Sequence, residues 1–219
     1  MLNVVCINWH NYLGRGAEYV RKLHAAVARH LSVPFAFVEL TEQQLGEDLK
    51  GWWVKMKLFE PRRFTGPVLY LDLDVVITAN IDRLVATAAT DPTLLWMRDD
   101  FSYSLVHPKV GIGADTRALL GGEGCCNSSV MLWDARHIEW LWTAWQQDKV
   151  RQMRELHGDQ NAITQLAWPK HIGLLPSEMI QSYKYDVRDG HQRPAAVVVT
   201  HGEPKPHQLQ VPWINEHWQ

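Results

Sequence analysis

Short apolar runs alternate with helical stripes along this chain. Leu2–Asn8 (LNVVCIN) has the length and content of a buried strand. In Ala17–Leu31, the residues Val20, Leu23, Val27 and Leu31 recur at helical spacing and form one stripe. Pro34 opens a second strand, PFAFVEL, and WWVKMKLFE (Trp52–Glu60) reads as a short helix stopped by Pro61. Gly66-Pro67 turns into VLYLDLDVVIT, an apolar strand that carries Asp72 and Asp74. Ile81–Ala89 predicts a helix and Thr93–Met97 (TLLWM) a strand. Beyond them, CCNSSVMLWD reads as a strand, and Arg136–Met153 as a helix with Ile138, Leu141, Trp142 and Trp145 inward. Trp140 falls off that stripe, so it meets another layer or solvent. DQNAITQLAW is a short helix ending before Pro169, AAVVVT is the last strong strand, and the tail from His207 is irregular and aromatic.

This alternation predicts an α/β fold: a mostly parallel, Rossmann-like central sheet with helices on both faces. The segment Phe101–Gly124 has no clear period and reads as a long functional loop. Its GIGADT stretch is half a dinucleotide fingerprint, but it follows no first strand and carries no such reading. With 219 residues, no repeat and no linker, the chain is expected to be a single domain over 1–219.

Charge and composition narrow the classes. The 22 basic and 24 acidic side chains nearly cancel, which gives no footprint for nucleic acid. No apolar run reaches the roughly 20 residues of a membrane span. The first residues read as a strand rather than a signal peptide. Three cysteines, two of them adjacent, fit small buried thiols in a reducing compartment better than zinc, and the cytoplasm is the expected location. Eleven tryptophans are many for this length; most are expected in the core. Trp213, Ile214 and Trp218 lack a basic cluster, so packing on the body is expected before peripheral membrane contact.

Five groups carry candidate chemistry. In a strand, Asp72 and Asp74 share one face, and two carboxylates there suit a hard divalent cation such as Mn²⁺ or Mg²⁺. The alternative is a pair of solvated acids. VVVTHGEPKPH delivers His201, a third possible ligand, and Lys205, a point charge for phosphate; the plainer reading is a polar turn. Asp159 in HGDQNAI is either a helix N-cap or a site acid. Asn127, Ser128 and Ser129 are small polar residues able to bond hydroxyls, or the wet face of an edge strand. Lys55 or Lys57 reaches a phosphate or a sugar, or else lies on a solvated helix face.

In order along the chain, DLD, NSSVMLWD, GDQNAI and the His-Gly…Lys-Pro turn resemble glycosyltransferases of the GT-A fold. The pattern is most similar to family eight, the group of glycogenin and bacterial lipopolysaccharide galactosyltransferases. The resemblance runs from Asn3 to about His207. It implies Mn²⁺ on Asp72, Asp74 and His201, holding the diphosphate of a nucleotide sugar, UDP-linked, with Lys205 on the phosphates. It implies donor contacts from Asn127, Ser128, Ser129 and Lys55, and an Asp159–Gln160 pair beside the anomeric carbon. The end of the first strand implies nucleobase contacts from Cys6, Asn8 and Tyr12. Residues 1–100 are then mainly the nucleotide half, and 101–219 mainly the donor-sugar and acceptor half. The implied reaction moves a hexose to an acceptor hydroxyl of a glycan, a lipid-linked acceptor or a protein, with retention. Two positions depart from the family: Gly202 follows His201 directly where two residues usually intervene, and Ser129 replaces a glycine.

Two rivals stand beside this. LYLDLDVVIT also fits a haloacid-dehalogenase-type phosphatase, with Asp72 as nucleophile and Asp99-Asp100 as the acidic metal motif. That nucleophile normally closes the first strand, whereas two strands are expected before this one. The shortened histidine turn motivates the other, a non-catalytic sugar-nucleotide-binding protein.

Overall fold

The computed structural model describes residues 1–99, 126–189 and 194–219. The expected loop at 101–124, Cys125 and Asp100 lie outside the described residues. Among the described residues, a six-stranded sheet runs β2-β1-β3-β6-β5-β7. Its strands are β1 (Leu2–Ile7), β2 (Phe35–Leu40), β3 (Pro67–Leu71), β5 (Leu95–Asp99), β6 (Cys126–Asp134) and β7 (Ile172–Leu174). β1 pairs in parallel with β2 and β3, and β5 with β7; β6 runs antiparallel between β3 and β5. The expected α/β architecture with a mostly parallel sheet is therefore present.

Strand alternation splits the core in two. Val4, Cys6, Leu69, Leu71, Val130 and Leu132 face one layer; Val5, Ile7, Val68, Tyr70, Met131 and Trp133 face the other. Helix α1 (Gly16–His30) covers the first face with Tyr19, Leu23 and Val27. The opposite face takes the 3₁₀ segment Gly51–Phe59, the four-residue α2 (Glu42–Leu45), α4 (Glu139–Glu155) and α5 (Asp159–Ala167), while α3 (Asp82–Ala89) adds Leu84 to the α1 side. Ile138, Leu141 and Trp145 are buried there, Trp142 packs against them, and Trp140 lies against His171 with ring centroids 4.4 Å apart.

Four features depart from the sequence reading. VLYLDLDVVIT is two strands: β3 ends at Leu71, and β4 (Val75–Ile77) joins a second sheet of order β4-β9-β8. That sheet also contains β8 (Ile180–Ser182) and β9 (Val197–Val199), and it packs on the α1 side. Both apolar flanks are buried, but in different sheets, so hydrophobicity alone reads them as one strand. NSSVMLWD is not an edge strand; β6 is central, and all nine of its residues are buried. WWVKMKLFE is helical as expected, but its turns are 3₁₀ rather than α. The tail forms a short helix, α6 (Pro212–His217), with Ile214 and Trp218 buried and the Lys22 ammonium 3.7 Å above the Trp218 ring. No helix among the described residues is long and apolar enough to cross a membrane.

One close approach fixes the loop after β1. A Cβ on Gly16 would lie 1.9 Å from Asn8 Oδ1. That amide cannot move aside, because Asn8 donates to Glu39 Oε1 (2.7 Å) and accepts from the Tyr12 backbone N–H (3.0 Å). Gly16→Ala is therefore expected to cost about 1–3 kcal/mol as overpacking. Its urea midpoint is the measurement, and a midpoint equal to wild type contradicts the packing argument.

Candidate active site

Parallel sheets collect their ligands beyond the carboxyl ends of the strands. Here β1 and β3 end on one edge, where antiparallel β6 begins. Just past β1, His10, Asn11, Leu13 and Gly14 have positive φ, a strained run for three non-glycine residues. Asn8 and Asn11 hold it by accepting from the backbone N–H groups of Tyr12 and Gly16. The result turns the Tyr12 phenol back over the sheet edge, where it donates to Asp74 Oδ2 at 3.1 Å.

Asp72 and Asp74 lie on the connection between the two sheets. The Asp72 backbone N–H still bonds Ser129 O, while Val75 N–H bonds Asp72 O and closes a turn. The pairing shift of β5 between Met97 and Arg98 leaves Ser128 to Val130 outside the β5 ladder. Asn127 and Ser128 thus look into the space that opens where β3 departs. On the far side, the register Val75↔Val199 brings Asp74 beside Thr200, whose hydroxyl donates to Asp74 O at 2.8 Å. The chain then turns at Gly202, φ +69°, and returns with Lys205.

These segments enclose a cavity of about 550 Å³. Its walls are Ile7, Trp9 and Tyr12 from the β1 end, Trp52 and Lys55 from the 3₁₀ segment, and the Asp72–Asp74 turn. Gly51, Val54, Tyr70, Asn127–Ser129, His157–Gln160, Tyr185, His201, Gly202 and Lys205 complete it. Of the residues singled out in the sequence, Tyr12, Lys55, Asp72, Asp74, Asn127, Ser128, Ser129, Asp159, Gln160, His201 and Lys205 meet here. Asn8 and Cys6 do not: Asn8 is the strut behind Tyr12, and Cys6 is buried in the core. The choice between the two lysines is also made, since Lys57 turns to Asp48 (2.8 Å) and Glu60 (3.1 Å).

Electrostatics organise the floor. Lys55 Nζ lies 2.8 Å from Asp72 Oδ1, 3.2 Å from Ser128 Oγ and 3.9 Å from Asp159 Oδ2. The Tyr70 hydroxyl donates to Asp72 Oδ1 at 2.6 Å. Burial opposes ionisation of Asp72, yet the Lys55 charge and the bonds from Lys55, Tyr70 and Ser129 hold its carboxyl below the ordinary aspartate range. Lys205 pairs with Asp74. Burial and the Asp72 charge nonetheless push Asp74 upward. Burial likewise raises Asp159, against the pull of Lys55 and Ser128. Asp159 is not an N-cap: Gly158 holds that position, and no side chain caps the helix. Its Oδ2 is buried without a hydrogen bond.

The fold matches that of solved glycosyltransferases. Galactosyltransferase LgtC, in complex with donor and acceptor sugar analogues, aligns over 93% of this chain and 88% of its own, at 19% identity and a TM-score of 0.61. A glutamine-to-glutamate active-site mutant of LgtC aligns over 98% and 93%, at 16% identity and 0.64. The apo bifunctional glycosyltransferase WbbM gives 0.67 at 12% identity, over 98% of this chain and 50% of that one. The chain has the glycosyltransferase fold. No protein-family model matches the sequence, and no curated sequence matches it.

Within this fold, the phosphatase reading loses its geometry. Asp72 follows the third strand rather than the first, and Asp99 does not line the cavity. Among the described residues, no three His, Cys, Asp or Glu side chains converge as a ready metal cluster. The physical reason is local: a lysine sits on each carboxylate of the turn, and His201 Nε2 shares a 2.8 Å hydrogen bond with Ser182 Oγ. As residue types, two carboxylates and an imidazole lining one cavity still suit a divalent cation such as Mn²⁺. The charge balance favours one too. Asp72, Asp74 and Asp159 against Lys55 and Lys205 leave one formal negative charge in excess, so an incoming diphosphate needs further positive charge. Sequence reasoning missed Trp9, Trp52, His157 and Tyr185. Only the place of Trp52, directly after Gly51 and three residues before Lys55, left any signal in the sequence.

Proposed function

We propose that this protein transfers a hexose from a nucleoside diphosphate sugar, UDP-linked, to an acceptor hydroxyl, with retention. The observation that carries this reading is the convergence of four distant segments on one cavity. They are the Asp72–Asp74 turn, the start of β6, the start of α5 and the His201–Lys205 turn. Residues up to about 100 supply the nucleoside end, with Tyr12, and the later residues supply the sugar end. Asp72, Asp74 and, after release from Ser182, His201 would hold Mn²⁺ or Mg²⁺. That cation supplies Lewis acidity to the leaving diphosphate.

The chain's own residues do the rest. Lys205 and Lys55 are the mobile cations: each exchanges a carboxylate for a phosphate oxygen when the donor enters. They stabilise the charge that grows as the glycosidic bond breaks, where preorganised electrostatics contribute most. Asn127 and Ser128 hold sugar hydroxyls. Gln160 is neutral and a poor nucleophile, which favours attack by the acceptor from the face that the diphosphate leaves. The acceptor oxygen bonds the anomeric carbon, and the diphosphate oxygen departs with its electron pair and takes the acceptor proton. Asp159 orients the incoming hydroxyl.

The test is a thermal-shift panel of nucleotide sugars with and without Mn²⁺, followed by donor hydrolysis. Binding at 100 times Kd stabilises by about 2.7 kcal/mol, a shift of several degrees. The expected result is Mn²⁺-dependent stabilisation by UDP-sugars above other nucleotides. Absence of any nucleotide-sugar response overturns the proposal. Binding without turnover supports the non-catalytic alternative.

A further inference from the structure

Trp52 is an apolar side chain that the core does not claim. Its surface is 59% exposed, although it forms part of the cavity wall. It is nevertheless held in place. Gly51, at φ +58°, turns the chain into the 3₁₀ segment and sets the direction of the next side chain. The indole lies flush on Gly158, where a Cβ would meet it at 3.4 Å, and the His157 ring stands 5.0 Å away at 38°. An exposed indole of fixed orientation at a cavity wall offers a flat apolar face with a slightly negative surface.

The neighbouring group is polar and buried. Asp159 follows Gly158 directly, is 3% exposed, and leaves Oδ2 buried without a hydrogen bond, with only the Lys55 ammonium near it at 3.9 Å. Such an oxygen is costly unless a ligand donor reaches it. A flat apolar face beside an acceptor oxygen matches a pyranose, whose ring carries C–H groups on one face and hydroxyls at its rim. Trp9 and Tyr12, which follow β1, line the same cavity and suit the nucleoside.

We propose that Trp52 is the stacking platform for the acceptor, that the acceptor is a carbohydrate presenting the apolar face of a pyranose ring, and that its hydroxyl donates to Asp159 Oδ2. This rests on the transferase reading of the same cavity and names its acceptor class.

Saturation-transfer NMR with methyl hexopyranosides tests it, in the presence of UDP and Mn²⁺ and with sorbitol as an open-chain polyol control. Calorimetry with UDP and Mn²⁺ alone follows the donor side separately. In wild type, ring C–H protons of at least one pyranoside receive saturation and sorbitol does not. Trp52→Ala and Asp159→Ala each weaken pyranoside binding by about tenfold or more. Trp52→Phe retains most of it, and UDP affinity in Trp52→Ala stays within about twofold. Three results overturn the proposal: equal saturation of sorbitol, pyranoside binding unchanged in Trp52→Ala, or loss of UDP affinity in that variant with pyranoside binding intact. Comparison of Trp52→Phe with wild type keeps the test available if Trp52→Ala fails to fold. Failure of wild type to bind UDP removes the transferase reading instead, and calorimetry shows that independently of any pyranoside.

Discussion

Asp72→Ala abolishes transfer, with a loss of at least about 100-fold in kcat/KM, and also lowers the melting temperature. The two effects have separate causes. Asp72 is the carboxylate that the Lys55, Tyr70 and Ser129 side chains all address, so its removal takes away a proposed cation ligand. It also strands Lys55, whose side chain is only 12% exposed, with Asp159 as its remaining acid at 3.9 Å. Breaking a buried pair from one side costs about 3–5 kcal/mol, whereas replacing both partners by apolar groups is often neutral. The double variant Asp72→Leu/Lys55→Met therefore regains most of the stability and none of the activity. Chemical denaturation and donor hydrolysis measure the two halves. Wild-type turnover in Asp72→Asn contradicts the role given to this carboxylate.

Lys205→Ala separates charge competition from catalysis. Lys205 is paired with Asp74, which a cation must share or take over. Removing the ammonium frees that carboxylate, so Mn²⁺ binds the donor-free protein more tightly, by about tenfold for one charge at partly screened contact distance. The same change removes a cation from the leaving diphosphate, and kcat falls by about 10- to 100-fold. Opposite signs in calorimetry and kinetics distinguish this from general damage, which weakens both. Weaker Mn²⁺ binding together with unchanged kcat refutes the exchange of Lys205 between Asp74 and phosphate.

The candidate site was legible as a list of residue types but not as a geometry. DLD, NSS, DQ and the His-Gly…Lys turn stood out because each places polar groups beside apolar runs, and all of them reach the cavity. Their roles were less accessible. Lys55 and Lys57 are equivalent in sequence, yet a two-residue offset in a 3₁₀ segment sends one to Asp72 and the other to Asp48. Asn8 has the position of a ligand-binding residue and the contacts of a strut. Asp159 follows a glycine as N-caps do, but the cap falls one residue earlier and leaves its carboxylate to the cavity.

By itself, the sequence determined the alternation of strands and helices, the two-faced sheet and the residues of exceptional chemistry. These are local properties, written in periodicity and side-chain type. Tertiary structure alone decided that VLYLDLDVVIT breaks between two sheets, that β6 inserts antiparallel at the centre, and which lysine meets which aspartate. It also decided that Trp52 remains outside the core, against Gly158. Each of these depends on pairings between segments far apart in the chain. Their free energies come from contacts made only after collapse, so no local window of residues contains them.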